Sequence, residues 1–123
     1  MTALEILETV TIALLKQGKQ SKKAIGICAY RGDDGLKCAI GHLIKDEDYS
    51  KEMEGHGVNN VLIRKALFNN DIDVNDSNIQ NLIVELQVIH DHNGVGNWPT
   101  LLEEQKQKLI ATLARIQNNK FYK

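Results

Sequence analysis

Apolar residues recur at helical spacing in four stretches of the chain, and the intervals between them are polar and rich in glycine, asparagine and aspartate. Leu4, Leu7, Val10, Thr11 and Leu14 share one face of a helix over residues 2–17. Thr2 and Glu5 form a capping-box pattern at its start, and Gly18 is a natural stop. Residues 58–69 predict a second helix, with Val61, Leu62, Lys65, Leu67 and Phe68 along it. The clearest stripe is Ile79, Leu82, Ile83, Leu86 and Ile89, which predicts a helix over 78–92 capped by Ser77 and Gln80, with His90 at the edge of the stripe. Asn93-Gly94 ends it, and Pro99 opens a last helix over 99–117 whose inner face is Leu102, Leu109, Leu113 and Ile116. The tail beyond it frays unless Phe121 or Tyr122 docks.

The pattern changes between the first two helices. Residues 19–23 (KQSKK) read as a short basic solvated linker, with phosphate contact as the alternative. Residues 24–31 suit a strand, and the turn signal GDDG follows. A three-residue loop, Asp33-Asp34-Gly35, pairs Tyr30 with Cys38 and Cys28 with Ile40 and puts both thiols on one face. A four-residue loop from Gly32 pairs Ala29 with Cys38 and turns the thiols to opposite faces. A third possibility starts a helix near Leu36 and sets Cys38 in its first turn, where the dipole lowers a thiol pKa. Residues 45–57 are polar and acidic, and residues 70–76 form an acidic, turn-rich connector that lacks the glycine and terminal glutamate of a calcium loop. The fold class expected is α+β, mainly helical, with four or five helices and one small β-hairpin, in a single domain over 1–123.

Composition adds limits. A 123-residue chain with 42% hydrophobic and 25% charged residues is ordinary for one globular domain. A net charge of −1 gives no global reason to bind nucleic acid or an acidic membrane, and the positive charge is split between residues 16–23 and the tail. No apolar run is long enough to span a bilayer and no secretory leader is visible, so the expected location is the cytoplasm, with reduced thiols.

Candidate chemistry gathers in CAYRGDDGLKCAIGHLIKDEDY, residues 28–49. Cys38 is the candidate nucleophile, with His42, His90 or His92 as base, since a thiol enzyme needs a histidine to hold the thiolate. Asp91 lies beside His90, but adjacent helix residues do not face each other. Cys28, Cys38 and His42 have the donor types for zinc, with a further histidine completing four, but not the usual tight cysteine pair. A polar recognition surface is expected from Tyr30, Arg31, Asp33, Asp34, Lys37, Asp46, Tyr49 and Glu54. Against it stands the simpler use of Arg31, pairing with Asp46 or Asp48 to pin the acidic segment.

Cys28, Tyr30, Arg31, Gly35, Lys37, Cys38, Ala39, Gly41, Leu43, Ile44, Asp46, Tyr49, Glu54 and Gly55 spell CxYRxxxGxKCAxGxLI…DxxY…EG. That pattern resembles small uncharacterised proteins of bacteria and their phages. The resemblance implies an intracellular accessory factor of phage or prophage origin and carries no activity with it. The resulting expectation is a non-enzymatic binding protein without a cofactor that binds or inhibits a host or defence protein, or binds a small ligand. A Cys38 hydrolase or transferase and a zinc-stabilised module are the alternatives.

Overall fold

The structure, a computed structural model, describes residues 1–23 and 26–121. Four α-helices occur among them: α1 (Ala3–Gln17), α2 (Val61–Asn69), α3 (Ser77–His92) and α4 (Trp98–Phe121). Single 3-10 turns at Asp33–Gly35, Ile40–Leu43, Asp46–Asp48 and Lys51–Met53 carry the chain from α1 to α2. A further one, Val95–Asn97, joins α3 to α4.

Local chemistry explains the helix ends. Thr2 Oγ1 accepts the Glu5 amide at 3.1 Å and Glu5 returns a carboxylate oxygen to the Thr2 amide at 3.0 Å, the expected capping box. Gly18 closes α1 in the left-handed region at φ 65. Asn60 caps α2 with bonds to the Leu62 and Ile63 amides. For α3 the cap is Asp76 rather than Ser77; its carboxylate takes the Asn78 and Ile79 amides. A carboxylate holds two amide donors more strongly than a hydroxyl does, so the helix begins one residue earlier than expected.

The core draws on all four helices. Ile6, Leu7, Val10 and Leu14 of α1 pack with Ile83 and Leu86 of α3 and with Trp98 and Leu102 of α4. Ile63 and Leu67 of α2 join the same core, with α2 set against the 51–53 turn that carries Met53. On α4 the expected inner face holds only in part. Leu102 and Leu109 are buried, whereas Leu113 and Ile116 are 39% and 38% exposed. Periodicity marks a face but not where its partner ends. Tyr122 and the Phe121 side chain, on which docking of the tail turned, lie outside the described residues.

The expected β-hairpin does not form among the described residues, although Ala24 and Ile25 lie outside them. Its turn does: Asp34 (φ 59) and Gly35 (φ 74) are both left-handed, and the Leu36 amide reaches the Asp33 carbonyl at 3.2 Å. The flanking residues take other partners. Ala29 donates to the Ser21 carbonyl and Asp33 to the Lys22 carbonyl, so the 28–33 segment lies along residues 21–22. A single antiparallel bridge, Lys22 with Cys28, is the β-type pairing there. Residues 39–44 coil instead: His42 donates to the Cys38 carbonyl and Ile44 to that of Gly41. The buried side chains of Cys38, Ala39, Ile40, Leu43 and Ile44 are drawn into the helical core, which one face of a two-stranded ribbon could not achieve.

Candidate functional site

Arg31 holds the 28–54 segment together. Its guanidinium donates to the carbonyls of Gly41 at 2.7 Å and Ile44 at 2.8 Å, meets Asp46 at 3.1 Å, and lies 5.0 Å from the centre of the Tyr49 ring. Glu54 is the second tie. One carboxylate oxygen takes the Tyr30 amide at 2.9 Å, and the other takes the Arg31 amide and the Tyr49 hydroxyl. Burial, then the bond to Glu54, pushes the Tyr49 hydroxyl up to about 12. Lys37 lies 3.5 Å from Asp46, and the charges of Lys37 and Arg31 hold the Asp46 carboxyl below its ordinary range.

Of the eight residues expected to form a recognition surface, Tyr30, Arg31, Lys37, Asp46, Tyr49 and Glu54 thus bond to one another or to nearby backbone. Asp33 and Asp34 face solvent on the turn. Two glycines permit this packing: a Cβ at Gly41 would overlap the Tyr30 carbonyl, and one at Gly32 would stand 2.7 Å from the Lys22 amide nitrogen.

Beneath this knot lies a cavity of about 360 Å³ between Cys28–Ile40, the 54–58 segment and α3. Cys28, Cys38, Ile40, Val58, Val84, Gln87, Val88 and Asp91 are among its lining residues. The Tyr30 hydroxyl donates to the His56 carbonyl and fastens the 54–58 segment over it. Burial pushes the Tyr30 hydroxyl up, reinforced by the nearby Cys38, Glu54 and Asp91.

Asp91 is the polar centre of one wall. Gln87, one helical turn earlier, donates to its Oδ1 at 2.9 Å, and His90 Nδ1 donates to the same oxygen at 2.7 Å. The expectation that adjacent helix residues do not meet fails here, because Nδ1 is the ring nitrogen nearest its own backbone and the aspartate arm is short. Burial alone would push the Asp91 carboxyl up; the bonds from His90 and Gln87, with the thiol of Cys28, outweigh it and hold the group below its ordinary range. Gln87 also accepts the Ile40 amide at 3.0 Å, tying α3 to the 40–43 turn.

His90 is fully buried and stacks on Trp98 with ring centres 5.5 Å apart. Its Nε2 accepts the Ser21 amide at 2.9 Å, so the hydrogen resides on Nδ1. Ser21 is itself buried, and its hydroxyl lies 2.6 Å from the Ala29 carbonyl, so the supposed solvated linker carries a hub of the fold. A lone serine among lysines and glutamine gives no such signal.

Neither thiol is set up as a nucleophile. Cys38 is 1% exposed, and burial pushes it up to about 12 even though the Gly41 amide and Gln87 pull the other way. The helix start near Leu36 that would have lowered it does not form, since Cys38 precedes the Ile40–Leu43 turn and its Ala39 cap. Cys28 is half-buried and raised by burial and by the Asp91 charge. His42 is turned elsewhere, bonded through Nε2 to Gln17 Oε1 at 3.0 Å, so it does not join the cysteines as a ligand. Burial, then Lys37 and Arg31, lowers it to about 4. His56 and His92 are exposed.

Donor atoms of Cys28, His90 and Asp91 do lie within 4.8 Å of one another. A metal on Nδ1 would move the hydrogen to Nε2, against the Ser21 amide, and set two donors face to face. The acceptor that a ligating histidine needs for its other ring nitrogen is therefore missing here.

No protein family, curated protein or solved structure matches the chain. No helix among the described residues is long and apolar enough to cross a membrane.

Proposed function

We propose that this chain is a small non-enzymatic binding protein that takes a small organic molecule in the cavity under the 54–58 segment. The observation that carries the reading is a cavity of small-molecule size whose aliphatic walls hold two fixed carboxylates, Glu54 and Asp91. The thiols favour binding over catalysis, since both are raised and His90 Nε2 is already engaged by Ser21. The accessory role suggested by the 28–55 pattern fits a protein that works by holding a ligand.

The test is native mass spectrometry of the full chain, purified without chelator and screened against a small-molecule library. The same screen is run on Val88→Trp, which fills the cavity from a side chain already 40% exposed and so leaves the core intact. The expected result is an organic adduct on the parent chain that Val88→Trp loses. An adduct kept equally by both proteins, or one zinc ion per chain, overturns the proposal.

A further inference from the structure

We infer that the cavity selects a protonated amine carried on an apolar body, an assignment that rests on the binding reading above. The walls given by Ile40, Val58, Val84 and Val88 suit a hydrocarbon, and among the described residues no lysine or arginine lines the cavity. Its carboxylates are Glu54 and Asp91, and the exposed His56 is the basic side chain at its rim. Both oxygens of Glu54 are taken by Tyr30, Arg31 and Tyr49, so it contributes negative potential rather than a contact.

Asp91 differs. Gln87 and His90 both donate to Oδ1, which leaves the weakly donating Cys28 thiol as the nearby protein group for the second oxygen, and the side chain keeps 24% of its surface open. A neutral ligand with no donor would strip water from that second oxygen and leave a charged acceptor underbonded, which is costly in an apolar site, and a hydroxyl supplies the donor but not the opposite charge. An anion would meet two carboxylates. An ammonium supplies both the donor and the opposite charge, while its hydrocarbon part covers the valines.

Phenethylamine, phenethyl alcohol and hydrocinnamate share one aromatic body and differ in the head group. Calorimetric titration of each into the full chain, into Asp91→Asn and into Val88→Trp tests the assignment. The amine is expected to bind about tenfold or more tighter than the alcohol, as one charge-assisted hydrogen bond allows. Asp91→Asn keeps an Oδ1 acceptor for Gln87 and His90, and is expected to erase that preference by weakening the amine about tenfold or more, with the alcohol still bound. Should Asp91→Asn fail to fold, Val88→Lys places a tethered ammonium at the cavity and is expected to remove amine selectivity instead. Alcohol or hydrocinnamate binding as tightly as the amine, with loss in Val88→Trp, overturns the amine class and leaves the cavity standing as a ligand site. No binding by any of the three overturns the amine assignment, and the library screen then decides the cavity by itself.

Discussion

Replacing Arg31 with methionine keeps an unbranched stem and removes the guanidinium. The side chain is 17% exposed, and its two short bonds go to the carbonyls of Gly41 and Ile44, which hold the 40–43 turn against the 30–31 backbone. A hydrogen bond to a charged group contributes roughly 1.5 kcal/mol or more, and the stacking on Tyr49 roughly 0.5–1 kcal/mol. The ion pair with Asp46 adds little, because that carboxylate is 84% exposed and screened by water. The loss therefore sums to roughly 3–4 kcal/mol. Urea unfolding followed by circular dichroism reads it: with a slope near ~1.5 kcal/mol per molar, the midpoint should fall by about 2 M. Asp46→Asn should leave the midpoint close to the parent value. An Arg31→Met midpoint within about 0.5 M of the parent, at unchanged slope, would refute the assignment of Arg31 as the internal pin and return it to the surface as a recognition group.

Gly41→Ala should destabilise by about 1–3 kcal/mol in the same assay, since the added methyl meets the Tyr30 carbonyl, whereas Gly57→Ala, with nothing within 4 Å of its Cβ, should be nearly silent. Equal midpoints for the two would contradict the close approach. His42 should make stability pH-dependent: its folded value of about 4 lies below the ordinary 6.5, so the unfolded chain binds the extra proton. The contribution is complete above about 6.5 and is lost as pH falls toward 4. His42→Gln should flatten the stability–pH curve in that window, and a parent curve already flat there would show that the ring is not held neutral. Iodoacetamide should label Cys28 slowly and Cys38 only on unfolding, as mass spectrometry of digests can follow; fast labelling of Cys38 in the native protein would restore the thiol-enzyme reading.

The candidate site was legible in pieces. Cys28, Tyr30, Cys38 and Glu54 stood out because reactive and charged side chains are concentrated in one stretch, and all four line the cavity. Gln87 and Asp91 did not, since two polar residues one turn apart on a helix are common, and only the neighbour facing them makes them a wall. Ser21 and Gln17 looked like linker and helix end. Their importance lies in bonds to His90, Lys37 and His42, partners 20 to 69 positions away that local pattern does not encode.

By itself the amino-acid sequence determined the four α-helices, the cap at Thr2, the stop at Gly18 and the turn at Asp34-Gly35. These follow from spacing and from bonds between residues a few positions apart. Only the tertiary structure decided that residues 28–44 do not form a hairpin, that Arg31 faces inward, and that Asp91 joins Glu54 as a charged group of the cavity. A strand needs a partner along its length. Here residues 21–22 of the linker compete for those backbone groups, and burial of Cys38 to Ile44 against the helices favours a coiled path.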